Sequence, residues 1–324
     1  MKIDDDYYLN KIKNTKFLKE NTKKTYLKSF EVIKEIWGDK NCNIDCIIKK
    51  PDEYYLKLVD YGNNYSSRFK DKKISIHTLS NYIAPIISLF LHNEELKEDQ
   101  KELYEKWKIN MEKIRKPVTD KYYSNEPNER QKEAYISYED VIKIRDKLEV
   151  GSFERLLLFM YTAIPPVRSD YYKTQIYRKT PSKNLEDTNY IVLTSKPYLV
   201  LNKYKTAAKY KTIIVEIPPE LKKEIEESLK LFPRQFLFIS RQTKEEYKYE
   251  NTFNRWCNYT LKKITSKPNF SLTMLRHIFL SRKDLDIGNM TGTEKNKIAM
   301  KMGHNIQMQG LYRWIKEIDD EPDE

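Results

Sequence analysis

Apolar residues return at helical spacing through the first third of the chain. In the stretch NTKKTYLKSFEVIKEIWGDK, Tyr26, Phe30, Ile33 and Ile36 are separated by four, three and three positions, which is the stripe of an amphipathic helix. Asn21 and Thr22 stand before it as cap candidates. A second apolar helix is predicted over HTLSNYIAPIISLFLHNEELK, with Thr78 or Ser80 near its start and Pro85 in a first turn or at a bend. His77 and His92, at the ends of that element, read as structural. The periodicity then stops. RKPVTDKYYSNEPNERQKEAYIS is polar, carries two prolines and repeats at no spacing, the composition of a linker. Ser137, with Asp140 three positions on, opens a new helix. FERLLLFMYTAI continues as a buried helix that Pro165 and Pro166 end.

Strand-like runs follow: YIVLT at 190–194, YLVLN at 198–202 and TIIVEI at 212–217. They are short and β-branched, which suits a small antiparallel sheet. KYKTAAKYK joins the second run to the third as a hairpin. From residue 219 the pattern is mostly helical again, ending in an acidic, frayed tail. No internal repeat or low-complexity tract interrupts it. The predicted fold class is therefore mainly α with a small antiparallel β-sheet. A helical domain covers 1–114, a linker 115–136, and an α+β domain 137–324.

Charge narrows the partner. Lys and Arg number 60 against 48 Asp and Glu, a net +12; such an excess favours an anionic partner, most often nucleic acid, with binding that weakens as salt rises. Three cysteines, Cys42, Cys46 and Cys257, give no disulfide framework and point to a reducing, intracellular setting. Cys42 and Cys46 lack a second Cys/His pair that would complete a tetrahedral metal site. No run of about 18 apolar residues is present to span a membrane, and MKIDDDYYLN has no apolar signal core.

Candidate chemistry is confined to the second half. IPPVRSDYY puts Arg168 just after a double-proline break, with Asp170 two positions on. In NKYKTAAKYKT, Lys205 falls at the hairpin tip among Lys203, Lys209 and Lys211, and Thr206 adds a hydroxyl that could reach a phosphate. FSLTMLRHIFLSR places Arg276 at the edge of an apolar helical stripe, where an arginine needs an anionic partner or a route to water. KMGHNIQMQGLYRW then brings His304, behind a glycine, eight positions before Tyr312.

Arginine, hairpin lysine, L-R-H on a helix, G-H, and a tyrosine near the C-terminus: in that order the set resembles the tyrosine recombinases, the phage integrase family, over nearly the whole chain. NTKKTYLKSF is similar to the opening helix of that family's core-binding domain, and IPPVRSDYY to forms in mobile elements of eukaryotes and of large DNA viruses. The resemblance implies that Arg168 and Arg276 are the two active-site arginines and that Asp170 helps hold the first. Lys205 is implied as general acid to the leaving 5′-oxygen. His304 is implied as the last histidine before Tyr312, the nucleophile, and His277 as a packing residue behind Arg276. Three departures accompany it. Thr273 stands where the family usually has a histidine, the span from Arg276 to His304 is a few residues long, and the gap from His304 to Tyr312 is one short.

The chemistry asks for these residue types. A phenol has a reference pKa of about 10 and needs cationic neighbours to favour its anion. Guanidinium forks hold phosphoryl oxygens and stay charged. A covalent 3′-phosphotyrosyl link would conserve bond energy, so rejoining needs neither ATP nor any other cofactor. The chain shows neither a carboxylate cluster for Mg²⁺ nor a phosphate-binding G-x-x-x-x-G-K-[ST] loop. The resemblance further implies double-stranded DNA clamped between two domains and a homotetramer on synapsed DNA. Three other readings stay open: relaxation of supercoils in the manner of a type IB topoisomerase, a DNA-binding protein of the same fold that no longer cleaves, and a metal-dependent nuclease.

Overall fold

The computed structural model describes residues 5–64, 74–123, 126–182 and 185–314. The chain divides into two compact units, Met1–Ser124 and Asn125–Glu324, and each has its own apolar core. The described part of the first unit is helical: α1 (Asp5–Asn14), α2 (Glu20–Trp37), α3 (Ile44–Ile48), α4 (Pro51–Asn64), α5 (Ile76–Ser80), α6 (Ala84–Leu91), α7 (Glu94–Asp99) and α8 (Lys101–Tyr123). Phe30, Ile33 and Ile36 of the α2 stripe are buried, with Tyr26 packed at the margin. Trp107 of α8 is enclosed and donates its indole N–H to the Ile48 carbonyl at 3.0 Å, stopping α3 against α8.

Four expectations for this unit are corrected. α2 starts at Glu20, one residue before its cap candidates, with Lys19 at the cap position and no side-chain cap. The second apolar helix is three helices: Ser75, not Thr78 or Ser80, caps α5, and Pro85 lies in the first turn of α6, where its missing N–H costs nothing. The expected linker is helical over much of its length, because α8 runs on through Pro117 to Tyr123. Most described side chains beyond Ile114 in α8 are exposed, so no stripe marks the helix in the sequence. Cys42 and Cys46 form a disulfide, their Cα atoms 5.6 Å apart, because the cap turn at Asn43 folds them together; Cys257 is free and buried.

The second unit contains, in order, α9 (Glu129–Ala134), α10 (Tyr138–Lys147), α11 (Phe153–Thr162), β1 (Gln175–Tyr177), β2 (Tyr190–Val192), β3 (Tyr198–Leu201), α12 (Ala207–Tyr210), β4 (Ile213–Glu216), α13 (Pro219–Leu231), α14 (Glu250–Thr265), α15 (Leu272–Ser281), α16 (Gly292–Lys301) and α17 (Ile306–Tyr312). α11 is its central element. Leu156–Thr162 are buried, and the helix packs on α10, α13, α14 and α15. Ser137 caps α10 by accepting from the Asp140 N–H at 3.0 Å, as expected.

The sheet order is β1-β2-β3-β4. It is mixed rather than antiparallel: β1 pairs parallel to β2, while β2–β3 and β3–β4 are antiparallel. β1 is no shorter than β2, but its Gln-Ile-Tyr lies between charged and polar residues outside any β-branched run, so nothing marks it in advance. The β3–β4 connection is not a tight hairpin either. Its Ala-Ala core forms the single helical turn α12, and Lys205 precedes that turn. Beyond α15 a small separate core gathers Phe279, Leu280, Ile287 and Met302, with Leu285, Met290, Ile298, Tyr138 and Tyr312 packed on it.

Candidate active site

Arg276 is enclosed, 1% exposed, in the middle of α15. The edge position expected from the sequence is lost because α15 is buried on nearly every side. The two terminal nitrogens of the guanidinium are paired from within. Nη1 donates to the Pro166 carbonyl at 3.1 Å and the Met302 carbonyl at 3.3 Å, and Nη2 donates to His304 Nδ1 at 2.8 Å. Burial, and next the charge of Arg168, lower its pKa, while Tyr312 opposes that shift; a guanidinium still stays protonated at neutral pH.

His304 is set by the end of α16. Gly303 takes φ +69°, the left-handed turn that closes a helix, and the His304 N–H returns to the Ala299 carbonyl at 3.0 Å. A Cβ on Gly303 would meet the Tyr204 ring at 3.4 Å, which closes the position a second time. Since a guanidinium only donates, His304 Nδ1 accepts, and the neutral ring carries its proton on Nε2. Burial and the two arginines pull its pKa down to about 3, so the ring is neutral at physiological pH. Both His304 Nε2 and Arg276 Nε are buried without a hydrogen-bond partner among the described residues.

Tyr312 is the last residue of α17. Its ring lies parallel to His304, centroids 5.5 Å apart at 12°, with the Arg276 guanidinium carbon 4.8 Å from the ring centre. His277 holds it from behind. Nδ1 donates to the Tyr312 carbonyl at 2.8 Å, and the imidazole stacks on Trp314 at 4.4 Å and 10°. The other nitrogen, Nε2, faces the Gln131 amide at 3.5 Å. Burial pushes the pKa of His277 down to about 4, so it too stays neutral.

Arg168 leaves the double-proline turn half-buried, and its guanidinium has no hydrogen bond or ion pair with another described residue. Its charge acts on both Arg276 and His304. Asp170 is buried and holds the turn through the backbone, accepting from the Arg168 N–H at 3.1 Å. Burial, then Glu250, push the Asp170 carboxyl up, against the pull of the Lys205 backbone, the Arg168 charge and the Arg168 backbone.

Asn189, which the sequence did not single out, ties this turn to the lysine loop. It is 5% exposed. Its amide nitrogen donates to the Asp170 carbonyl at 2.9 Å and the Lys203 carbonyl at 2.7 Å. Its oxygen accepts from the N–H groups of Asn202 at 2.9 Å and Lys203 at 2.7 Å. Thr206, expected to face a phosphate, instead donates to the Gly303 carbonyl at 2.8 Å and joins the loop to the His304 turn. Lys205 is exposed at the head of that loop. Lys203 pairs with Asp187 at 3.2 Å, Lys209 lies over the Tyr210 ring, and the exposed Lys211 accepts at its carbonyl from the Tyr204 hydroxyl at 2.5 Å. Thr273 is exposed in the first turn of α15, beside a cavity of about 200 Å³ shared with Asn128, Gln131 and His277.

Among the described residues no group of three or more His, Cys, Asp or Glu is placed to hold a metal ion, and no helix is long and apolar enough to cross a membrane. No protein-family model matches the chain, and no curated protein matches it. Among solved structures, the crystal structure of XerA recombinase is similar, with 15% sequence identity over 95% of this chain and 93% of that one, at a TM-score of 0.39. At that score the likeness adds nothing to what the side chains say.

Proposed function

We propose that the chain cleaves and rejoins DNA strands through a covalent 3′-phosphotyrosyl link, as a site-specific recombinase or integrase, with Tyr312 as nucleophile. The observation that carries this reading is the pair of orphaned donors beside the Tyr312 ring, Arg276 Nε and His304 Nε2. Buried polar atoms are nearly always paired, and two donors left open next to a phenol suit an oxyanion that arrives with the substrate. Arg168 adds a second, uncommitted cation.

On this reading the Tyr312 phenol gives up its proton to water, its anion favoured by the neighbouring arginines, and its oxygen bonds to phosphorus as the bond from phosphorus to the 5′-oxygen breaks. Arg168, Arg276 and neutral His304 stabilise charge on the non-bridging oxygens, His304 as a donor through Nε2–H. Lys205 gives its proton to the departing 5′-oxygen. Double-stranded DNA is the partner, attracted by the net charge of +12, and strand exchange would require a homotetramer at the synapse. Origin in a mobile element or a virus rests on the resemblance of IPPVRSDYY alone.

The test uses nicked duplexes that lose the leaving fragment, drawn from the ends of the native element, incubated in EDTA with wild type and with Tyr312→Phe. A denaturation-resistant protein–DNA adduct with wild type only is expected. Salt-sensitive binding without any adduct would reject this reading in favour of a protein that binds and does not cut.

A further inference from the structure

The segment between α15 and α16, residues 282–291, is exposed or half-buried except at one apolar anchor. Ile287 is 7% exposed and belongs to the small separate core with Phe279, Leu280 and Met302. Three features connect that core to the candidate active site. Phe279 and Leu280 lie on α15, within a turn of Arg276. Met302 is buried among them while its carbonyl holds Arg276 Nη1 at 3.3 Å. Tyr312 itself packs on the cluster.

The segment also reaches the next residue of the chain. A Cβ placed on Gly288 would stand 3.4 Å from Arg313 Nη1 and 3.5 Å from Nη2, so the Arg313 guanidinium lies against the Gly288 backbone. The ends of the segment are fixed. Arg282 stacks on Phe279 at 4.4 Å and donates to the Tyr138 hydroxyl at 3.0 Å, and Thr291 forms a capping box with Glu294. Asp286 adopts φ +34°, the left-handed conformation that closes the 3₁₀ turn Lys283–Leu285 and that aspartate takes more readily than most residues.

We infer that residues 285–290 are a positioning element for Tyr312: Ile287 supplies the apolar support on which the phenol ring leans, and Gly288 leaves room for Arg313 and so fixes the exit of α17. This rests on the proposed role of Tyr312. The cluster is separate from the main core around α11, so trimming it should disturb the ring without unfolding the unit. A displacement of about 1 Å in a reacting group can cost on the order of 100-fold in rate.

The experiment compares wild type, Ile287→Ala, Ile287→Leu and Gly288→Leu in the full chain; an alanine at 288 would only touch Arg313, whereas the branches of leucine reach into the space of its guanidinium. Three quantities are read: single-turnover adduct formation, affinity for the same DNA, and the ¹⁹F resonance of 3-fluorotyrosine incorporated at position 312 alone. Ile287→Ala and Gly288→Leu should slow adduct formation by about tenfold or more. Affinity and far-UV circular dichroism should stay unchanged, the ¹⁹F signal should move, and Ile287→Leu should restore both rate and signal. Wild-type rates together with an unmoved resonance in both Ile287→Ala and Gly288→Leu would overturn the inference. Should wild type itself form no adduct, the nucleophile assignment fails, and the ¹⁹F shift alone still decides whether the segment positions the ring.

Discussion

Arg276 and Lys205 are two cations brought to one end of the second unit, in opposite physical situations. Arg276 makes three hydrogen bonds to Pro166, Met302 and His304 at 1% exposure. Lys205 is exposed, its ammonium free of hydrogen bonds and ion pairs among the described residues, and only the backbone around it is tied down, through Asn189, Asp170 and Thr206. On the proposed reading, the difference matches two tasks. Stabilising charge on a phosphoryl group calls for donors that are already in place and need not reorganise. Handing a proton to a departing oxygen calls for a group that can follow it.

That contrast can be broken by experiment. The largest effect is expected at Arg276. Arg276→Ala should lower single-turnover cleavage by at least about 100-fold and also lower Tm, because the Pro166 and Met302 carbonyls and His304 Nδ1 lose their shared donor. Arg276→Lys should rescue neither, since one ammonium cannot reproduce the fork. Normal cleavage in a destabilised Arg276→Ala would make the residue structural only.

A cleaner effect, confined to the rate, is expected at Lys205. Lys205→Ala should slow cleavage by about 100-fold with Tm unchanged. A substrate whose 5′-bridging atom is sulfur, a leaving group that needs no proton, should recover most of that loss. Recovery of Arg276→Ala by the same substrate would erase the distinction between the two cations.

The smallest effect concerns pH. His277 and His304 are held neutral, with pKa values near 4 and 3 against an ordinary 6.5. Below 6.5 the unfolded chain takes up protons that the folded chain refuses, so stability is full above 6.5 and drains away as pH falls toward 4. The urea midpoint should follow that course, and His277→Gln should flatten it. The cleavage rate should show no inflection near pH 6.5 from His304. An inflection that vanishes in His304→Gln would mean the ring works as a proton shuttle rather than as a fixed donor.

Legibility in the sequence follows how much of each feature is local. The α2 stripe, the Ser137 cap and the strands β2, β3 and β4 were readable because period and capping are properties of a few neighbouring residues. The segments around Arg168, Arg276, His304 and Tyr312 were readable as motifs. That Arg276 would meet His304 and the Tyr312 ring was implied only by resemblance. What escaped depends on tertiary context. β1 exists because β2 and Phe236 give three residues something to pair with. α8 continues through Pro117 with no stripe to show it. Thr206 turned inward because Gly303 offers it a carbonyl. Asn189 has no sequence signature at all.

That asparagine carries a consequence for how the protein can drift. One primary amide there satisfies two carbonyls and two N–H groups at once. Aspartate would turn a carboxylate on two carbonyl oxygens, leucine would strand all four groups, and glutamine would overshoot by a methylene. Position 189 is thus a dead end for gradual change. A descendant lineage could vary the loop's other positions, such as Lys209 and Lys211, and still inherit this amide, because the route away from it passes only through chains whose loop has lost its anchor.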